Sequence, residues 1–193
     1  VAAAIKAIEA QTSAEVVVAV RHRAASYREA AYLFGFLCAV GALGVLLFAR
    51  QPFALETIPL DVVVVFALGA FVGDRIMFIE RLLSSGRVQR EALHRAACAA
   101  FVDVGISRTK GRNGILVFAS MLERGVAIVP DVGIDPKALG EGWSKACAEL
   151  AGSLQQGADL PRFLRALEGL GPVLAKAMPH MADDVNELPD EMA

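Results

Sequence analysis

Residues 30–49 read AAYLFGFLCAVGALGVLLFA, and the absence of charge over these 20 positions decides the architecture of the chain. Wound as an α-helix, the run is about 30 Å long, the thickness of a bilayer's hydrocarbon core. A second run, VVVVFALGAFVG at 62–73, is uncharged over only 12 residues. It reaches spanning length by taking in Ile58, Pro59 and Leu60 on one side and Ile76 to Ile79 on the other. Asp61, Asp74 and Arg75 then fall near its ends, where headgroups and snorkelling accommodate charge. Two helices buried in a soluble core are the bland alternative. The pair reads as a transmembrane helical hairpin over 30–79.

Outside this segment the chain is an ordinary charged domain. Of its 193 residues 55% are hydrophobic, and the mean hydropathy is +0.50. Removing the hairpin leaves about 140 residues, enough for one core. The first run starts too late and is too long for a cleaved signal peptide. Because the chain opens on Val1 rather than Met, a missing or processed N-terminus is expected.

Basic residues orient the hairpin. Arg21, Arg23 and Arg28 precede the first span, and Arg75, Arg81, Arg87 and Arg90 follow the second, whereas the connection holds Arg50 against Glu56 and Asp61. This asymmetry places both termini and the remaining domain on the cytoplasmic side, with a bacterial inner membrane as the expected location. Cys38, Cys98 and Cys147 are isolated, which fits a reducing compartment. With a formal net charge of −2, no nucleic-acid partner is expected.

The flanking sequence divides into clear elements. AAAIKAIEAQ at 2–11 predicts a helix with an apolar stripe, broken by Thr12 and Ser13. EVVVAV at 15–20 is apolar on both faces, as in a central strand. Val88 to Val104 predicts a helix closed by Gly105 in a left-handed cap. Strands follow at 114–120 and 125–130, joined tightly through Leu122 to Arg124. Helices are expected at 137–154, broken near Gly140 and Gly142, and at 160–177, interrupted at Gly171-Pro172. The tail, 179–193, carries five acidic residues and no Lys or Arg. Residues 1–29 and 80–178 thus form one layered α/β domain, interrupted by the hairpin at 30–79 and followed by the acidic tail.

Two stretches carry a family resemblance. AIKAIEAQTSAEVVVAV at 4–20 contains Glu9, Thr12, Ser13, Ala14 and Glu15 in the pattern E-x-x-T-[GS]-[AG]-E, a helix end feeding a first strand. FVDVGISRTKGRNGILVFASMLERGVAIVPDVGI at 101–134 runs from a helix ending at a G-I pair through a basic turn, N-G-[IV]-L and a strand hairpin to a D-x-G-I turn. Both resemble the TPM-domain family, as do Trp143, the Phe163 helix and the tail VNELPDE at 185–191, which is similar to that of its membrane-hairpin branch. The resemblance implies a small α/β sandwich, a central sheet covered by helices. It also implies a link to thylakoid-lumen members with acid phosphatase activity and a role in photosystem II repair, to bacterial membrane members, and to receptor-associated members. Plant members hold acidic residues in loops near the sheet edge that bind a divalent cation. In the corresponding turn this chain supplies Asp131, where many members have glycine, and Asp135.

Three candidate sites follow. Arg108, Lys110 and Arg112 form a basic turn suited to a phosphate or an anionic headgroup, or simply a solvated connection. The spacing of a Walker A loop is absent. Asn113-Gly114 within it reads as backbone chemistry, since both residues tolerate positive φ. Asp131 and Asp135, with Glu15 as a third candidate, offer oxygen ligands to Ca2+ or Mg2+, and Asp131 could serve as a nucleophile in phosphate chemistry. Their alternative role is in turns and helix caps. Gly69 and Gly73 form G-x-x-x-G on the second span, packing either the hairpin, against Gly35, Ala39, Gly41 and Gly44, or a homo-oligomer. His22, His94 and His180 are scattered, without metal-ligand spacing. No catalytic motif of the H-E-x-x-H, G-x-S-x-G or C-x-x-C type occurs. Two functions remain: a non-catalytic, membrane-anchored module for protein binding or for membrane-protein assembly or repair, or a phosphatase-like, cation-dependent hydrolase of phosphate esters.

Overall fold

The computed structural model describes residues 1–49, 54, 56–157 and 159–180. In chain order its elements are α1 (Ala2–Glu9), β1 (Glu15–Arg21), α2 (Arg28–Phe48), α3 (Ile58–Arg75), α4 (Met77–Leu83), α5 (Gly86–Asp103), a 3-10 turn (Ile106–Arg108), β2 (Gly114–Ser120), β3 (Gly125–Pro130), α6 (Pro136–Gly152), α7 (Leu160–Glu168) and α8 (Gly171–Ala177). They fall into two units, one from Val1–Ala25 with the chain from Arg90 onward, the other Ser26–Gln89.

The first unit is α/β. Its β-branched runs pair as a three-stranded sheet in the order β1-β2-β3. β1 lies parallel to β2, with Val17 opposite Leu116, and β2 lies antiparallel to β3, with Val117 opposite Ile128. Parallel strands cannot be joined by a tight turn, so the long stretch between β1 and β2 is what such pairing requires. Alternation along each strand then feeds two cores. Val16, Val18, Ile115 and Val117 pack with Ile5 and Ile8 of α1 and with Trp143, Leu150, Phe163, Leu167 and Leu174 of α6, α7 and α8. On the other face, Val17, Ala19, Leu116 and Phe118 pack with Leu93, Ala97 and Ala100 of α5 and with Ile106. Each fully buried side chain of this kind contributes about 1.5–3 kcal/mol.

One expectation needs correcting. β1 is an edge strand, and β2 occupies the centre. Apolar residues on both faces of a strand report layers above and below it, which β1 has, and say nothing about lateral neighbours. The breaks fall where expected. Gly105 has φ 78 after α5, Gly140 kinks α6 at φ 66, and Pro172 sits in the first turn of α8. Thr12 and Ser13, which end α1, also hold the far end of the unit. Thr12 Oγ1 donates to Met178 O at 2.6 Å, and Ser13 N to the same oxygen at 3.1 Å. The acidic residues of the tail lie outside the described residues.

In the second unit α2 and α3 approach closely through glycine. A Cβ on Gly35 would stand 2.6 Å from Phe66 O, and one on Gly69 3.0 Å from Gly35 Cα. Gly73 abuts Ala31, whose Cα would be 3.1 Å from such a Cβ. The Gly69/Gly73 face is therefore occupied by α2 of the same chain, whereas Gly41 and Gly44 have none of the described residues against them. The expected continuation of the second span through Ile79 is not made. α3 ends at Arg75, Ile76 is extended at φ −107 and ψ 101, and α4 leaves at 99°. The break follows the charged pair Asp74–Arg75, which an unbroken helix would have carried into its interior. Among the described residues α2 is long and apolar enough to cross a membrane, and α3 with α4 qualifies only as this bent pair.

Candidate functional site

The parallel register of β1 on β2 brings Glu15 opposite Gly114, and the antiparallel register sets Ile115 opposite Pro130. The start of β1, the start of β2 and the end of β3 thus share one end of the sheet. The basic turn leads into β2 and the acidic turn leads out of β3, so these two candidate sites, far apart in sequence, meet there.

They meet as an ion pair. Arg112 Nη2 lies 3.0 Å from Asp131 Oδ1, with the Asp131 side chain 2% exposed and the Arg112 side chain 47%. Arg112 Nη1 also donates to Ser107 O at 2.9 Å. Asp131 Oδ1 accepts in addition from Val132 N at 2.7 Å. Backbone bonds lace the turns together: Asp131 N to Gly114 O and Gly133 N to Arg112 O, both at 2.9 Å. Gly133 is required at this crossing, because a Cβ there would stand 2.7 Å from Gly111 O. Asp131 Oδ2 is buried with no hydrogen-bond partner.

The turn is built differently from the sequence expectation. The positive φ of 51 belongs to Arg112, not to Asn113 or Gly114. Asn113 instead bonds outward, its Nδ2 to Ser13 O and its carbonyl to Glu15 N at 3.2 Å. Gly114 is glycine because Ile106 Cγ2 fills the space a Cβ would take. Arg108 and Lys110 are exposed, and the Arg108 side chain lies against Gly105.

The chemistry open to this arrangement is narrow. Asp135 caps α6, accepting from Lys137 N at 2.9 Å. Asp131 is closed to solvent and held by Arg112, so it is not presented to a phosphate ester. Glu15 is also buried. Among the described residues no three His, Cys, Asp or Glu side chains converge on a point where a metal ion would sit. Among the buried side-chain atoms of the described residues, Oδ2 of Asp131 is the one without a partner, whereas a hard cation such as Ca2+ or Mg2+ takes about six oxygens, water included. An open groove along α6, lined in part by Lys137, Gly140, Trp143 and Cys147, contains none of the sequence-derived candidates. Burial pushes the Cys147 thiol up to about 11.

Other polar contacts were not anticipated. His94 Nε2 stands 3.7 Å from Cys98 Sγ on the exposed side of α5, a pairing that the H-x-x-x-C spacing on a helix would have signalled. Glu123, in the connection between β2 and β3, accepts from Ala24 N at 3.0 Å and from Ser120 Oγ. Glu9 of the first motif accepts from Val16 N at 3.1 Å. These bonds splice β1 into the sheet and serve the fold.

No family model and no curated protein matches the chain. Among solved structures it is similar to the NMR structure of the BA42 protein from the psychrophilic bacterium Bizionia argentinensis. The TM-score is 0.57 at 17% identity, over 100% of this chain and 88% of that one. At that identity the likeness shows a shared mixed α/β fold and nothing of function.

Proposed function

We propose that the chain is a membrane-anchored, TPM-like domain protein that acts as a non-catalytic module, binding another protein in membrane-protein assembly or repair. One observation carries the membrane part. Between their charged ends, α2 and α3 expose an apolar surface: Phe36, Leu37, Phe48, Val63, Leu68 and Phe71 are each more than half exposed. Water does not sustain an apolar surface of this extent on a soluble domain, and a bilayer does. On this reading α2 is one span and α3 the other, its 18 residues reaching about 27 Å with Asp61, Asp74 and Arg75 at the headgroups, and the flanking arginines keep both termini cytoplasmic.

The binding role draws support from the carboxylates. Asp131 is engaged by Arg112, and Asp135 caps a helix. A hydrolase reading keeps one foothold, the buried Oδ2 of Asp131.

Reporter fusions at Glu56 and at the C-terminus test the anchor and should lie on opposite sides of the membrane. Both on one side rejects the hairpin, and reversed sides reject only the orientation. Co-purification in mild detergent, run beside a phosphatase assay on the same preparation, tests the role. Phosphate release lost in Asp131→Asn would replace the binding module with the hydrolase.

A further inference from the structure

The second unit turns a corner that its apolar surface does not. α4 leaves α3 at 99°, yet Phe78 and Leu82, one turn apart on its outer face, are 70% and 69% exposed. Its other face carries Glu80, which is 2% exposed, with Ile79 and Leu83 partly buried. Arg75 precedes the helix and Arg81 lies within it, one turn after Phe78. This is a short helix with an apolar outer edge and arginines beside it, set at right angles to a long apolar helix.

We propose that α4 is an interfacial helix, lying along the membrane surface with Phe78 and Leu82 among the upper acyl chains and Arg75 and Arg81 at anionic headgroups. The inference rests on the membrane reading above, because the direction of α4 follows from that of α3. A spanning helix tilts on average about 20° from the membrane normal. A segment at 99° to it then runs within about 30° of the membrane plane. Helices of this kind bury one apolar face at the boundary between headgroups and acyl chains, and basic residues near them are drawn to anionic lipid. A helix continuing straight across the bilayer would instead separate Phe78 and Leu82 by about 6 Å of depth.

The test uses the full chain in vesicles of phosphatidylcholine and phosphatidylglycerol, with lipids brominated either near the headgroup or near the chain end. Phe78→Trp, Leu82→Trp and Phe66→Trp each add one reporter, and the signal of Trp143 is subtracted using wild type. Phe78→Trp and Leu82→Trp should be quenched about twofold more by the shallow bromines than by the deep ones, and equally with each other. Phe66→Trp, within α3, should show the reverse preference. Quenching of Phe66→Trp alone would overturn the interfacial helix and leave the anchor standing. Quenching at different depths for 78 and 82 would also overturn it, since α4 would then cross the bilayer. No quenching at any of the three would overturn the anchor itself.

Discussion

Val17→Asp probes whether a domain interrupted by 64 intervening residues (26–89) unfolds as one cooperative unit. Val17 is 0% exposed, sits opposite Leu116 of the central strand, and packs in the layer formed by Leu93, Ala97, Ile106 and Phe118. Losing the valine alone costs about 1.5–3 kcal/mol of burial. Placing a carboxylate there, among these apolar side chains, adds several kcal/mol more. Together these approach the whole stability of a typical domain, about 5–15 kcal/mol. Val20 on the same strand is 37% exposed, so Val20→Asp should cost less than about 1 kcal/mol and serves as the control. The assay is urea unfolding in mild detergent, followed by the fluorescence of Trp143. That residue is 7% exposed and lies in the layer on the opposite face of the sheet, so it responds only if the two layers unfold together. The expected result is a large fall in the midpoint for Val17→Asp, or a chain unfolded from the start. Equal midpoints for Val17→Asp and Val20→Asp would refute the reasoning, because β1 would then lie outside the core.

Gly35→Val should loosen the helix pair, since its Cβ would meet Phe66 O at 2.6 Å, whereas Gly41→Val, with none of the described residues against it, should not; thermal unfolding in detergent followed by circular dichroism separates the two. Arg112→Gln removes the partner of a buried carboxylate and should cost about 1–3 kcal/mol, read as a lower urea midpoint, and Asp131→Asn in the same chain should recover part of the loss. If phosphate release is detected, Asp131→Asn should abolish it while the chain stays folded, and unchanged activity in both Asp131→Asn and Asp135→Asn removes this turn as the site. Cys98 is exposed and should react with maleimide at neutral pH, while Cys147, raised from 9.0 to about 11, should stay unlabelled in the folded chain. The raised thiol also sets a sign. Its contribution to stability is complete below pH 9.0 and is lost as pH rises towards about 11, so alkaline unfolding should come later in Cys147→Ala than in wild type, provided that variant packs equally well.

Periodicity and punctuation made most of the elements legible in the sequence. The β-branched runs at 15–20, 114–120 and 125–130 became strands, and Gly105, Gly140 and Pro172 marked breaks that the structure keeps. These are local signals, since backbone conformation and side-chain alternation depend on near neighbours. The site was legible only in pieces. Arg112 and Asp131 stood out separately, one as a ligand for anions and the other for cations, and only the fold shows that they pair with each other.

What the sequence determined alone is therefore the uncharged length of 30–49, the strands and the caps, because each depends on residues within one or two turns of chain. Tertiary structure decided the rest. It put β1 at the edge of the sheet and closed the Gly69/Gly73 face against Gly35 and Ala31. It also set Arg112 against Asp131 across the end of the sheet. Such outcomes depend on which surfaces meet, and strand register and helix packing settle that between residues distant in the chain.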